Sequence, residues 1–259
     1  MKKIFGLFLA FAILLSLLSG CGPVSPAPTP AQRDTLTQFS TLDTLSAGLF
    51  DGAISAADVL KYGDIGLGTF DGLDGEMLVV DGKMYQVTYD GVAREAKPTQ
   101  MIPYMAITYF DDDQEQPLSA GTNMKAFIAK VEAKLPTKNI FYAVRIDGTF
   151  QKVQTRAAPK QSKPYPPLAE ALKQQVVFNL TNVEGTMVGF WCPAYVKGIN
   201  SPGFHLHFLT KDGKAGGHVL DFTAQAATVK LDLTGDFNLI LPSSPTFYQL
   251  SFATATPTP

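Results

Sequence analysis

The sequence predicts an α+β chain in which mixed or mostly antiparallel sheets dominate and helices are few. Three observations predict it. Short apolar runs alternate with Asp-Gly pairs at 81–82, 90–91 and 147–148, and Asp-Gly between such runs signals a hairpin because type I′ turns need positive φ. Helical periodicity shows in only two segments. Strand-like runs fill the chain after residue 176.

Taken in order, Met77–Val80 and Met84–Tyr89 flank Asp81-Gly82 and predict a hairpin, with Asp90-Gly91 turning the chain again. Asn123 to Leu135 predicts an amphipathic helix, because Met124, Phe127, Ile128, Val131 and Leu135 form one stripe and Lys125, Lys130 and Lys134 lie outside it. Asn139–Ile146 and Thr149–Arg156 around Asp147-Gly148 predict another hairpin. A second helix is expected over Leu168–Gln175, after the stop sequence Pro164-Tyr165-Pro166-Pro167. Strands are expected at Val176–Leu180, Thr186–Cys192, Phe204–Leu209, His218–Phe222, Thr228–Leu233 and Phe237–Leu241. The Pro-rich stretch near 159–167 marks the expected boundary between an N-terminal mixed-sheet domain (34–160) and a C-terminal sheet domain (161–252) that carries the metal site.

At 259 residues and formal net charge −2, the chain has ample length for a core but no excess of Lys and Arg to neutralise nucleic-acid phosphates. Two cysteines exclude a disulfide framework. Lys2 and Lys3 precede an apolar run from Ile4 to Leu18, which is short of the ~20 residues a spanning helix needs. Ser19-Gly20 directly before Cys21 resembles the lipobox of bacterial lipoproteins, which implies a signal peptide over 1–20, cleavage before Cys21, and lipidation of its thiol. The mature chain would then be an exported cell-envelope protein anchored to a membrane through Cys21, each buried CH₂ contributing about 0.8 kcal/mol. Pro23, Pro26, Pro28 and Pro30 give residues 21–33 the composition of an extended linker, and 253–259 reads as a disordered tail. Cys192 is then without a partner and, in the apolar run Val188–Cys192, reads as a small buried hydrophobe.

All three histidines fall between Gly203 and His218. On a strand, residues i and i+2 share a face, so His205 and His207 are neighbours, while Phe204, Leu206 and Phe208 face a core. With Asp212-Gly213 as a two-residue turn, antiparallel pairing sets His207 opposite His218, with Cβ atoms about 4.5–5.5 Å apart. Three imidazoles then converge, and three His ligands with an open position describe a catalytic metal site. Zinc is the default, although iron, copper, cobalt and nickel also suit such ligands. Gly216 and Gly217 fit either a close backbone approach or the turn itself.

Gly68-Thr69-Phe70-Asp71-Gly72-Leu73-Asp74-Gly75-Glu76-Met77, Arg145-Ile146-Asp147-Gly148, Gln154-Thr155-Arg156, Gly185-Thr186-Met187-Val188-Gly189-Phe190 and the Gly203–His218 element together resemble the α-acetolactate decarboxylase family, in order from about Thr35 to Tyr248. The resemblance implies a two-sheet α/β-type architecture and a homodimeric, metal-dependent, usually zinc-containing carboxy-lyase that converts 2-acetolactate to acetoin and CO₂. It places the metal ligands on His205, His207 and His218, catalytic roles on Glu76 and Arg156, and substrate binding on Thr69 and Arg156. Arg145 reads as structural. Loss of CO₂ from a carbon beside a ketone leaves an electron pair that flows into the ketone as an enediolate, and a Lewis acid at the neighbouring oxygens stabilises that charge. Arg156 suits a bidentate contact with the carboxylate, and Glu76, raised in pKa by burial, suits proton delivery.

One departure stands out. Family members commonly carry a C-terminal glutamate that returns to the metal, whereas the chain after Tyr248 has no acid; Glu184 is a speculative substitute. The second reading is therefore a non-catalytic envelope lipoprotein of the same fold that binds a metal or a hydroxy-keto acid. Retained Glu76 and Arg156 favour the enzyme, because metal storage needs neither.

Overall fold

The structure, a computed structural model, describes residues 28–252. The expected signal peptide (1–20), the lipidation site Cys21, most of the 21–33 linker and the 253–259 tail lie outside the described residues. The end of that linker is a helical turn, α1 (Pro30–Arg33), instead of an extended spacer. Pro30 opens it with φ already set for a helix, and Gln32 and Arg33 donate their amides to the Thr29 carbonyl.

Along the chain, β1 (Thr35–Phe39), α2 (Leu42–Ser46), β2 (Ile54–Ser55) and α3 (Ala56–Val59) precede β3 (Ile65–Thr69), β4 (Glu76–Val80), β5 (Lys83–Val87) and β6 (Ala93–Glu95). Next come β7 (Met101–Ile102), β8 (Tyr104–Thr108), β9 (Gln114–Leu118) and α4 (Met124–Glu132). The remainder is β10 (Phe141–Ala157), α5 (Leu168–Ala171), β11 (Val176–Cys192), β12 (Gly203–Thr210), β13 (Gly216–Thr234), β14 (Asp236–Ile240) and α6 (Pro245–Tyr248). The expected α+β class holds. The amphipathic helix is α4, N-capped by Asn123 and burying Phe127 and Val131, and the second helix shortens to α5 followed by a 3₁₀ turn at Leu172–Gln174.

Two sheets carry the fold. The first runs β14-β1-β8-β3-β4-β5-β6, with β1 and β14 parallel and its other pairs antiparallel. The second runs β10-β11-β12-β13-β9, and β10 also pairs with β13, so four of its strands close into a ring. Period-2 alternation divides the second sheet's residues between two cores. Tyr142, Val144, Ile146, Met187, Trp191, Leu206 and Phe208 fill the ring, plugged by Phe127 of α4. Their neighbours Phe141, Ala143, Val188, Phe190, Cys192 and Leu209 pack instead on Leu36, Ile65, Leu67, Leu78 and Val80 of the first sheet. Cys192 is a free, buried thiol in this layer, as its apolar context predicts.

Three expectations are corrected. Asp147-Gly148 makes no hairpin: it lies inside the 17-residue strand β10. Both edges of this segment are taken by long partners, with Gly148 opposite Gly185 and Ala227. A Cβ at Gly148 would overlap the Ala226 carbonyl, so glycine here serves close strand packing. The separate strands expected at 176–180 and 186–192, and at 218–222 and 228–233, are each one continuous strand, β11 and β13. The boundary at 160 does not divide the sheets either: β9 and β10 precede it yet belong to the second sheet, and β14 follows it yet belongs to the first.

Candidate active site

The site forms where one end of the first sheet meets the strand-paired histidines of the second. Thr69 and Glu76 are register partners on β3 and β4, and Tyr104 of β8 lies opposite Thr69 on the other side. All three share the alternation that points Ile65, Leu67, Leu78 and Ala106 at the second sheet. Glu76 opens its strand directly after a turn because Gly75 adopts φ +76°, where a Cβ would overlap the Val87 carbonyl. Thr69 Oγ1 donates to the Gly75 carbonyl at 2.7 Å, which fixes that turn and leaves its oxygen lone pairs free to accept.

From the second sheet, β12 presents His205 and His207, and the hairpin register puts His207 opposite His218, as the turn arithmetic predicts. Gly216 and Gly217 lie in β13, opposite Leu209 and Phe208, and not in the turn. Leu206 and Phe208 point the other way into the ring core, with Phe204 packed against it. Arg156 on β10 is the register partner of His218 on its opposite edge. Thus β10, β12 and β13 deliver the arginine and all three imidazoles to one place.

His205 Nε2 lies 3.1 Å from His218 Nδ1, which lies 3.4 Å from His207 Nε2. Two nitrogens bound tetrahedrally at 2.0–2.1 Å from one zinc are about 3.3–3.4 Å apart, so the three rings already hold ligand spacing. His207 Nδ1 donates to the Met77 carbonyl at 2.8 Å, fixing the tautomer whose unprotonated Nε2 faces its partners. Burial first, and then neighbouring positive charge, pushes His205 down to about 4 and holds His207 and His218 well below the ordinary imidazole range. Three neutral imidazoles aimed at one point are what a divalent metal requires, and the residues present fit it.

Arg156 Nη1 donates to Glu76 Oε1 at 3.2 Å, and Glu76 Oε2 is 3.5 Å from His207 Nε2. Burial pushes the Glu76 carboxyl up to about 7, opposed by the Arg156 charge. These groups line a cavity of about 240 Å³ whose remaining wall is largely apolar, with Leu42, Leu45, Leu73, Leu168 and Leu172.

The structure therefore gathers Thr69, Glu76, Arg156, His205, His207 and His218 around one cavity. Arg145 is elsewhere, held by Asp147 at 2.7 Å and Asp81 at 2.6 Å, in keeping with a structural role. Glu184 is no substitute for a tail glutamate, because it is an exposed residue of β11 paired with Lys211 at 2.7 Å. Sequence reasoning missed Tyr104 and the leucine wall. Tyr104 Oη is buried without a hydrogen-bond partner among the described residues, and nothing in its local sequence distinguishes it from a core tyrosine.

Fold and site together define a metal-dependent enzyme, with a guanidinium and a buried carboxyl set beside the three imidazoles in one small cavity. The family model described as Alpha-acetolactate decarboxylase matches residues 36–254. An alpha-acetolactate decarboxylase of Methanosarcina mazei is 45% identical over 83% of this chain and 75% of its own, and one of Bacillus subtilis is 41% identical over 82% and 83%. The crystal structure of the Bacillus subtilis strain 168 alpha-acetolactate decarboxylase superposes with a TM-score of 0.83, covering 85% of this chain and 94% of that one. The chain belongs to the alpha-acetolactate decarboxylase family: it is a metal-dependent carboxy-lyase that converts 2-acetolactate to acetoin and CO₂.

Proposed function

We propose that His205, His207 and His218 hold zinc, that Arg156 binds the substrate carboxylate, and that Glu76 delivers the proton that completes acetoin. The observation that carries this reading is the unbroken run from Arg156 through Glu76 to His207, at 3.2 and 3.5 Å, along one side of a small cavity. Bound zinc supplies Lewis acidity for the charge that develops on the substrate oxygens. Arg156 has two edges of donors, so it can keep Glu76 while turning its fork to the carboxylate that leaves as CO₂. As that C–C bond breaks, its electron pair moves into the ketone to give an enediolate. Glu76, whose carboxyl burial pushes up, gives its proton to one face of the enediolate carbon, then recovers one from solvent. Thr69 holds the Gly75 carbonyl and with it the turn that aims Glu76, and its oxygen accepts from the substrate hydroxyl. The leucine wall excludes water from the side where the methyl groups sit.

The proposal extends to setting: a homodimer, as the family resemblance implies, and a tether through lipidated Cys21 in the cell envelope, which the leader composition supports. Purified protein given racemic acetolactate is expected to form acetoin that a chelator abolishes and zinc restores, with one zinc per chain by mass spectrometry. Acetoin formation indifferent to chelator, or unaltered in rate and stereochemistry by Glu76→Gln, refutes the assignment. Labelled fatty acid incorporated by the wild type and lost in Cys21→Ala tests the anchor.

A further inference from the structure

A second set of ligand-bearing side chains lies apart from the imidazoles. Asp34 stands just before β1, Asp111 in the loop between β8 and β9, and Asp232 near the end of β13. One carboxylate oxygen from each lies within 4.8 Å of the others. Oxygens bound to one calcium at 2.3–2.6 Å can be at most about 5 Å apart, so a single ion reaches all three.

Charge crowding alone would not make a site, but Asp232 adds a separate observation. It is fully buried, at 0% exposure, yet its Oδ1 has no hydrogen-bond partner among the described residues. Its Oδ2 receives only a long 3.4 Å bond from the Asp111 amide. A buried carboxyl oxygen without a partner is rarely left so in a folded protein, and burial, with the acids around it, pushes this carboxyl up to about 8. The neighbouring acids do not share this condition: Asp112 pairs with Lys230 at 2.7 Å and Asp113 accepts from the Leu233 amide at 2.8 Å. Arg33 Nη1 stops 4.0 Å from Asp111 Oδ2.

We infer that Asp34, Asp111 and Asp232 form a binding site for a hard divalent cation of the calcium class, which clips the start of the first sheet to the end of β13. The three ligands are all oxygen, with no imidazole or thiolate, so the preference is opposite to that of the histidine site. Exposed Asp34 and Asp111 leave room for water to complete the six to eight ligands calcium takes. The backbone holds the ligands in place, since Asp236 donates its amide to the Asp34 carbonyl at 2.9 Å and Asp113 to that of Leu231 at 3.0 Å.

The test titrates CaCl₂ into the full chain loaded with its catalytic metal, read by calorimetry and by thermal unfolding. One saturable calcium per chain is expected, with a rise of several degrees in Tm. Asp232→Asn and Asp34→Asn are each expected to weaken binding about tenfold or more and to remove the Tm shift, while acetoin formation persists. Absence of saturable binding, undiminished binding in both variants, or tighter binding of MgCl₂ than of CaCl₂ overturns the inference. Asp34→Asn, at an exposed position, decides alone should Asp232→Asn fail to fold.

Discussion

Replacing Glu76 with Gln removes a carboxyl that folding buries beside three imidazoles and one guanidinium. In chelator-treated protein the effect on stability follows from its titration. Folding moves that titration from the ordinary 4.5 up to about 7, with burial as the first cause and Arg156 opposing it. At 1.36 kcal/mol per pH unit, the displacement corresponds to about 3 kcal/mol. Because the native state holds the proton more tightly than the unfolded chain, wild-type stability falls as pH climbs from 4.5 to 7 and levels off above that. The substituted amide carries no charge at any pH, and its carbonyl can still accept from Arg156. Urea unfolding of wild type and Glu76→Gln should therefore coincide near pH 4.5 and diverge to about 3 kcal/mol in favour of the variant near pH 8. Turnover of the metal-loaded variant should meanwhile fall by about 100-fold or more. A stability gap that ignores pH, or a wild type more stable than the variant at high pH, would refute the idea that burial holds this acid protonated.

Other changes probe the neighbouring parts. Arg156→Lys keeps the charge but loses the planar fork, so kcat/KM for acetolactate should drop about 10- to 100-fold, the equivalent of about 1.4–2.7 kcal/mol, in a steady-state acetoin assay. His207→Ala removes both a metal ligand and the bond to Met77; metal retention after dialysis should fall about 100-fold or more, measured by mass spectrometry, and activity with it. Phe208→Ala empties a site of 0% exposure packed edge-on against Phe150, and should cost about 3–5 kcal/mol by urea unfolding while leaving the imidazole face chemically intact.

The histidine cluster was legible in the sequence because two local rules suffice for it. Strand alternation joins His205 to His207, and a tight turn of known length joins His207 to His218. Glu76, Arg156 and Thr69 were legible only through family resemblance, since each arrives from a different strand and no local pattern marks an acid after a turn as catalytic. The Asp147-Gly148 misreading has a physical origin: the same dipeptide serves a chain reversal and a tight strand-on-strand approach, and only partners distant in sequence, Gly185 and Ala227, decide between them. Polar and small residues in the middle of β11 and β13 likewise imitate turns, and in β13 the register shifts against β10 also break simple alternation. The expected boundary at 160 failed for a related reason. Proline-rich composition marks where the chain leaves a sheet, and carries no information about which sheet it joins next.

The pairing of β1 with β14 has a consequence for how the chain comes into being. The first strand of the larger sheet has as its neighbour the last strand, Thr35 lying beside Asp236. No nascent fragment that stops short of β14 can complete that sheet, and at ordinary ribosomal speeds β1 waits on the order of 10–40 seconds for its companion to be made. Loop closure over such a span is slow even afterwards. The outer edge of the first sheet is therefore the part of the fold that must close last, after both ring strands β10 and β13 have been made.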